Sequence, residues 1–157
     1  MSEHDWLLLI HVGGAFCVLA GAPLAVVLNQ AALRRVRPSE VALLLGLVRV
    51  AVVLIAAGML VTLALGIWLV DETAYAVDDG WVVATLALWL AAAVLGAVGG
   101  RRDRRTRRLA EGLAAGADEP SAELQARLRD PLSLALSYGS GAAVLAILVL
   151  MIWKPGA

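Results

Sequence analysis

Four long stretches of the chain consist almost entirely of apolar residues, and charged residues are concentrated in the segments between them. Each stretch is long enough to cross the roughly 30 Å hydrocarbon core of a bilayer as an α-helix rising about 1.5 Å per residue. The pattern predicts an all-α integral membrane protein with a single transmembrane domain, residues 1–157. The predicted spans are residues 6–28, 43–70, 81–100 and 131–153.

The connection between the third and fourth spans, residues 101–130, is rich in Ala, Leu, Glu and Arg, which favours helix over a slack linker. We expect the third span to continue into this connection as a basic helix. Asp118 and Pro120 predict the cap and first turn of a further helix. Within that helix, Glu123 and Arg127 have the i,i+4 spacing of an ion pair.

The arrangement of arginines predicts how the spans are oriented. Arginines cluster in the first and third connections, whereas the second, "DETAYAVDDG", has four acids and no base. Because basic residues in short loops are retained on the cytoplasmic side, we expect a four-helix antiparallel bundle with both termini outside and a cytoplasmic helical extension after span three. Tryptophans at the outer span ends agree with this orientation, since indoles favour the interface. They are Trp6, Trp68, Trp81 and Trp153.

Composition narrows the classes of function. Hydrophobic residues make up 61% of the chain and the mean hydropathy is +0.84, well outside the range of soluble domains. The formal net charge is zero, and the charge pattern does not indicate a nucleic-acid partner. The single cysteine, Cys17, excludes an intrachain disulfide and a multi-cysteine cluster. Met59 and Met151 lack nearby histidine or cysteine at the spacing of a soft-ligand site, so no copper site is predicted.

Small residues at four-residue intervals predict where helices approach one another. In lipid, helix contact brings little hydrophobic gain, so association depends on small side chains that let backbones come close. We expect three such stripes, one each in the first, third and fourth spans. They comprise Gly13, Cys17 and Gly21; Gly96 and Gly100; and Ser133, Ser137 and Gly141.

One of the two histidines, His11, lies inside the first span, about 7–8 Å beyond Trp6 at helical rise. An ionisable residue at that depth is a candidate functional residue, and the alternative is a neutral histidine bonded to a neighbouring helix. Thr62, Thr85 and Lys154, the only lysine, belong to the same end of the predicted bundle. We therefore expect His11 and Lys154 to share a polar pocket that includes the two threonines.

The tail "MIWKPGA", "LALGIWLV" and "GWVVATLALWL", taken with His11, resemble a bacterial family of small four-span predicted integral membrane proteins of unknown function (DUF-type). That family is distantly similar to CopD-like copper-resistance proteins and HemJ-like protoporphyrinogen oxidases. The second likeness implies that His11 and Lys154 match a histidine and a lysine associated with haem. The enzymes carry further basic or histidine residues in the third span, where residues 82–85 here are Val, Val, Ala and Thr. The implied location is the bacterial cytoplasmic membrane.

Three hypotheses of function follow. The first is an integral membrane protein of unknown activity, a non-enzymatic accessory or transport-related bundle, because no complete catalytic constellation is present. The alternative is a haem- or porphyrin-binding redox protein in which His11 ligates the iron of haem b and Lys154 pairs with a propionate. His4 lies outside the first span, so bis-histidine ligation within one chain is not expected. The third makes the acidic connection a divalent-cation site formed by Asp71, Glu72, Asp78 and Asp79.

The lipid bilayer is the main predicted partner. The arginines between Arg101 and Arg108 are candidates for anionic lipid, at roughly 1 kcal/mol each. The alternative for that segment is a topology determinant with a solvated face. A membrane partner protein or a second copy of the chain also remains open.

Overall fold

The computed structural model describes residues 3–71 and 79–154, and within these ranges the chain forms helices and no strands. Four segments are long and apolar enough to cross a membrane, namely Glu3–Leu33, Pro38–Val70, Gly80–Ala114 and Ala122–Trp153. The all-helical prediction is therefore confirmed. Glu72 and Asp78, half of the acidic connection considered as a cation site, lie outside the described residues. The helices are α1 Glu3–Leu33, α2 Pro38–Asp71, α3 Gly80–Ala114, α4 Ala122–Leu128 and α5 Pro131–Trp153.

Helices α1 and α2 pack closely through glycines. A Cβ added to Gly58 would lie 2.6 Å from the carbonyl oxygen of Gly14, and one added to Gly14 would lie 3.2 Å from that of Gly58. Gly21, seven residues beyond Gly14, is buried on the same face of α1. The predicted stripe was wrong at Gly13, where an added Cβ would meet nothing within 4 Å. Two helical turns span about seven residues, so Gly14 and Gly21 share the face that meets α2.

Helices α3 and α5 also meet at small residues. The hydroxyl of Ser140 donates to the carbonyl oxygen of Ala92 at 3.2 Å. A Cβ on Gly96 would lie 3.5 Å from the Ser140 hydroxyl oxygen, which is ordinary van der Waals contact. Gly100 and Gly141, named in the predicted stripes, have open space where a Cβ would be. The close contact between α3 and α5 thus uses a different register on α5 from the predicted one.

Buried apolar residues hold α1, α2, α3 and α4 together near the α1–α2 and α3–α4 connections, which we call the arginine end. Across this core the Gln125 side chain donates to the carbonyl oxygen of Arg35 at 2.7 Å. Nearby, the amide of Gln30 on α1 donates to the Tyr138 hydroxyl on α5 at 2.6 Å. The arginine end is therefore packed and cross-linked. Its core comprises Ala32, Val41, Leu45, Val48, Ala110 and Leu124.

The connection between α3 and α4 caps α2. The carboxylate of Asp118 accepts hydrogen bonds from the Ser39 backbone N–H at 2.8 Å and the Ser39 hydroxyl at 2.7 Å. Asp118 has a φ of 52°, a left-handed conformation uncommon outside glycine. The cap of α4 is Ser121, whose hydroxyl accepts from the Leu124 N–H at 3.4 Å. The prediction of Asp118 as the cap of the inner helix was wrong, because its carboxylate instead bonds the first turn of a helix far away in sequence.

Two ion pairs position the end of α4 and the start of α5. Arg127 and Glu123 pair at 2.8 Å, as their i,i+4 spacing predicted. Asp130 caps α5 by accepting from the Ser133 N–H at 3.1 Å. The guanidinium of Arg102 on α3 contacts the Asp130 carboxylate, and its Nε donates to the Ser133 hydroxyl at 2.9 Å. Arg102 therefore ties α3 to the first turn of α5.

Candidate functional site

A cavity of about 610 Å³ lies among the first halves of α1 and α3 and the last halves of α2 and α5, which we call the cavity end. Most of its wall is apolar. Small-molecule sites in proteins are typically 300–1,000 Å³, mainly apolar, with a few polar groups that fix orientation. The cavity has both properties. Its apolar wall includes Leu8, Phe16, Leu63, Leu86, Ile147 and Leu148.

All four residues singled out in the sequence line this cavity. His11 comes from α1, Thr62 from α2 and Thr85 from α3, and Lys154 is the residue directly after α5. The wall around them is chiefly apolar, whereas the sequence led us to expect a polar pocket. The structure thus places an imidazole, an ammonium and two hydroxyls on the boundary of one apolar space.

The imidazole of His11 packs against the backbone of α2. A Cβ added to Gly66 would lie 3.1 Å from Cε1 and 3.6 Å from Nδ1 of His11, so glycine makes room for the ring. Nδ1 is buried and has no hydrogen-bond partner among the described residues. The Thr62 backbone lies beside the ring, but it forms no hydrogen bond of good geometry with Nδ1. Nδ1 is therefore enclosed against α2, and the His11 side chain as a whole lines the cavity.

Neither threonine hydroxyl supplies His11 with the partner that we expected. The Thr62 hydroxyl donates to the carbonyl oxygens of Gly58 at 2.9 Å and Met59 at 3.1 Å. The Thr85 hydroxyl donates to the carbonyl oxygen of Trp81 at 2.8 Å. Ser and Thr inside helices commonly bond back to the preceding turn in this way. Their hydroxyl oxygens keep acceptor capacity on the cavity wall.

Lys154 closes α5 and lies over an aromatic ring of α3. Its backbone is left-handed, with a φ of 41°, and its N–H donates to the Leu150 carbonyl oxygen at 2.9 Å. Its Nζ is 5.6 Å from the centre of the Trp81 ring, within the range of a cation–π contact. Trp81 is only 5% exposed, unlike Trp153, which is 78% exposed. Trp81 also lines the cavity.

Sequence analysis did not assign three types of wall residue to the site, namely a histidine, a tryptophan and two methionines. His4 lies within α1, which begins at Glu3, and it lines the cavity although we expected it outside the span. The seven-residue spacing of His4 and His11 places them on one helix face and was the signal available in the sequence. Deeper in the wall, the Trp89 indole N–H donates to the Met59 carbonyl oxygen at 3.2 Å. Both Met59 and Met151 contribute thioethers to the wall.

The cavity is accessible from the side of the bundle. Helix α2 packs on α1 and α3, and α5 packs mainly on α3. Between α1 and α5 the structure gives one hydrogen bond, from Gln30 to Tyr138, on the far side from the cavity. Leu8 and Phe16 line the cavity and are also 45% and 67% exposed. Leu8 and Phe16 of α1 therefore border both the cavity and the surroundings of the helices.

The described residues do not form a usual metal-binding group of side chains. Within residues 3–71 and 79–154, no group of three or more His, Cys, Asp or Glu side chains is placed to hold a metal ion. Cys17, the single thiol, is unbonded. The chemistry that the described wall offers is ligation by an imidazole or a thioether, ion pairing to an ammonium, and apolar contact.

Residues 5–155 match the family described as "Predicted integral membrane protein (DUF2269)". The chain belongs to this family. Comparisons with curated proteins and with solved structures gave no match. The resemblance to a DUF-type membrane family is thereby confirmed, and the protein is an integral membrane protein whose function the DUF2269 family does not define. The matched region includes both His11 and Lys154.

Proposed function

We propose that this DUF2269 protein binds an amphiphilic molecule with an acidic group, as a non-enzymatic accessory or transport-related component of the membrane. The observation that carries the proposal is the 610 Å³ apolar cavity whose boundary includes His11 and Lys154. The apolar body of the ligand occupies the space among the four helices. Its acidic group meets the Lys154 ammonium, and the His11 imidazole on the cavity wall supplies a second polar contact.

Selectivity in this site comes from its polar groups. An apolar body gains little by leaving lipid for an apolar cavity, because both surroundings are hydrocarbon-like. Ion pairing, in contrast, strengthens as the surrounding dielectric constant falls. Access through the gap between α1 and α5 suits a molecule that partitions into the bilayer first. We therefore infer an acidic amphiphile rather than a freely soluble metabolite.

We further propose that both termini and the cavity face the outside of a bacterial cytoplasmic membrane, with the helices antiparallel. The support is the charge pattern, since the arginine-rich connections are the ones expected to remain in the cytoplasm. In that orientation the cavity receives ligand from the outer leaflet. Labelling of single cysteines at Arg34→Cys and Glu3→Cys in intact cells tests this orientation, provided that Cys17 is replaced by Ser.

A polyene fatty acid provides the direct test of ligand binding. cis-Parinaric acid absorbs where tryptophan emits, and Trp81 and Trp89 lie in the cavity wall. Added to the protein in nanodiscs, it should quench tryptophan fluorescence saturably. Lys154→Gln should weaken binding of the acid by about tenfold, which corresponds to about 1.4 kcal/mol for a charged contact.

The uncharged methyl ester is the control for this experiment. Its binding should be unaffected by Lys154→Gln, because it has no charge to pair. Arg37→Gln, which removes a positive charge at the arginine end, should leave binding of the acid unchanged. Non-saturable quenching that is equal in the wild type and in Lys154→Gln would contradict the proposal.

Haem or a porphyrin is the second candidate, as the distant HemJ-like similarity implies. The observation that favours it is the His11 imidazole on the cavity wall, since an axial imidazole binds iron through one nitrogen. Lys154 would pair with a propionate, and His4, Met59 and Met151 are additional wall residues of ligand type. The cavity wall therefore carries residue types that can ligate haem iron and pair with a propionate. When bound, haem would supply one-electron chemistry.

An absorbance titration distinguishes the two candidates. Haemin added to the purified protein should give a stoichiometric Soret band that His11→Ala shifts or removes, while His11→Ala retains helical content by circular dichroism. A Soret band that is unchanged in His11→Ala would remove haem ligation by His11 from consideration. Absence of any haemin binding, with parinaric acid still bound, would leave the acidic amphiphile as the ligand class.

A further inference from the structure

Beyond the cavity, α3 presents a row of arginines on one face. Arg101, Arg104, Arg105 and Arg108 are all exposed. Arg104 and Arg105 lie three and four residues after Arg101, and Arg108 lies four and three residues after them, so all four share one side of the helix. We call this row the arginine stripe. In the part of the chain that the structure describes, no carboxylate pairs with any of the four.

The remaining arginines of the same segment have different surroundings. Arg102 contacts the carboxylate of Asp130, and Arg107 pairs with Glu111 at 3.5 Å. Thr106 and Ala110, on that side of α3, are buried. The segment therefore separates into a face that packs and pairs within the protein and a face that carries unneutralised charge. If these arginines served only to set the membrane topology, they could be distributed evenly around the helix. Their separation onto two faces therefore requires a further explanation.

The arginine stripe continues the lipid-facing side of α3. The apolar residues exposed along that side of the span are Val83, Leu90, Val94 and Val98, which are 51%, 60%, 53% and 39% exposed. The next positions at helical spacing are Arg101, Arg105 and Arg108, without an intervening acidic residue on that face. The same surface thus passes from apolar to cationic within one turn. This is the order in which a membrane passes from acyl chains to headgroups.

We propose that the arginine stripe binds the phosphate headgroups of anionic lipids in the adjacent leaflet. The stripe starts directly after the apolar surface and rises about 10 Å along the helix, so it passes through the whole headgroup layer. Guanidinium groups bind phosphate oxygens through two parallel hydrogen bonds, which suits a row of arginines. Anionic headgroups neutralise the mutual repulsion of the four charges. A soluble polyanion would have no reason to require continuity with the acyl-chain surface.

Electron spin resonance of spin-labelled lipids tests the proposal. In bilayers of equal phosphatidylglycerol and phosphatidylcholine, the wild type should retain labelled phosphatidylglycerol several-fold more strongly than labelled phosphatidylcholine. Arg104→Gln/Arg105→Gln should remove most of this preference, since each arginine near an anionic surface can contribute up to about fivefold. The Arg→Lys counterpart at both positions should keep most of it, because the charge remains.

The matched control is Arg34→Gln/Arg37→Gln, which removes two exposed arginines from the α1–α2 connection at the same end. This control should leave the preference near that of the wild type. An equal loss in both double variants would assign the effect to total charge and overturn the proposal. Displacement of the labelled lipid by inorganic phosphate, beyond that by chloride at equal ionic strength, would instead identify a soluble-phosphate site and also overturn it. Circular dichroism verifies that each variant is folded.

Discussion

The two ends of the bundle are built differently. At the arginine end, a buried apolar core and hydrogen bonds between distant residues join α1 to α4 and α5, and Asp118 caps α2 across the fold. At the cavity end, the helices enclose a space of about 610 Å³, and the Nδ1 of His11 has no hydrogen-bond partner within the described residues. Helices α1 and α5 are therefore joined at the arginine end and have few contacts at the cavity end. Helices α1 and α2, in contrast, remain in close contact there through Gly14 and Gly58.

This contrast indicates that the two ends of the bundle have different roles. Regions with few apolar contacts open at low free-energy cost, and ligand sites are drawn from such regions. At the arginine end the hydrogen bond from Gln30 to Tyr138 joins α1 to α5. We infer that stability comes mainly from the arginine end and adaptability from the cavity end. The predictions below test that inference from the largest expected effect to the smallest.

Replacing Leu124 should have the largest effect. Leu124 is 0% exposed at the centre of the arginine-end core, and truncation of a buried leucine to alanine costs about 2–5 kcal/mol. Leu86→Ala, on the cavity wall, is the matched control at the other end. It should lower the free energy of unfolding by less than Leu124→Ala does, because fewer atoms surround Leu86. Thermal unfolding in detergent measures both variants. Equal destabilisation would show that the two ends are packed alike.

Gly58→Ala should have the next largest effect. Its added Cβ would lie 2.6 Å from the Gly14 carbonyl oxygen, so α1 and α2 must move apart. We expect the free energy of unfolding to fall by about 1–3 kcal/mol, which is the usual cost of overpacking. Gly46→Ala on the same helix adds its Cβ in open space and should be neutral or slightly stabilising, since alanine favours helix. Unfolding midpoints that fall equally in both variants would argue against a close α1–α2 contact.

Gly66→Ala should affect binding more than stability. Its Cβ would lie 3.1 Å from Cε1 of His11, so the ring must rotate slightly, at a cost of about 0.5–1.5 kcal/mol for an off-rotamer side chain. Ligand affinity should then fall by up to about tenfold. The histidine ring signals in NMR, assigned with His4→Gln, should shift for His11. Gly13→Ala, whose Cβ meets nothing within 4 Å, should leave affinity and ring signals unchanged.

The fold was largely predictable because the hydrocarbon thickness sets a length that apolar runs must match. Helix contacts were less predictable, since Gly13 and Gly14 differ only in which face meets α2. That choice depends on how the two helices are rotated relative to each other. The cap at Asp118 was missed for a related reason. Sequence rules for caps are local, whereas Ser39 and Asp118 are brought together only by packing at the arginine end.

The candidate site was predictable in part. The positions of His11, Thr62, Thr85 and Lys154 within their spans indicated that they belong to one end of the bundle, and all four line the cavity. The size and apolar character of the cavity could not be predicted, because they depend on how far α1 separates from α5. The contact of Gly66 with the His11 ring likewise depends on the relative rotation of α1 and α2.

The smallest effect is expected from the charge of Asp118, and it should depend on pH. Hydrogen bonds from the side chain and then the backbone of Ser39 hold the pKa of the Asp118 carboxyl below its ordinary value. The stabilisation from this cap is therefore present above about pH 4, the ordinary pKa of aspartate, and is lost as the pH falls through the lower pKa of the folded state.

Asp118→Asn tests this dependence, because asparagine keeps an acceptor for the Ser39 N–H but has no charge to lose. The unfolding temperature of the wild type should exceed that of Asp118→Asn at neutral pH, and the difference should shrink as the pH falls below about 4. Exposed Glu119, which makes no hydrogen bond with the described residues, provides the control Glu119→Gln. A difference between wild type and Asp118→Asn that stays constant from neutral to acidic pH would mean that the cap acts through shape alone. The cap joins α2 to the α3–α4 connection, so its loss should leave the cavity and its ligand affinity intact.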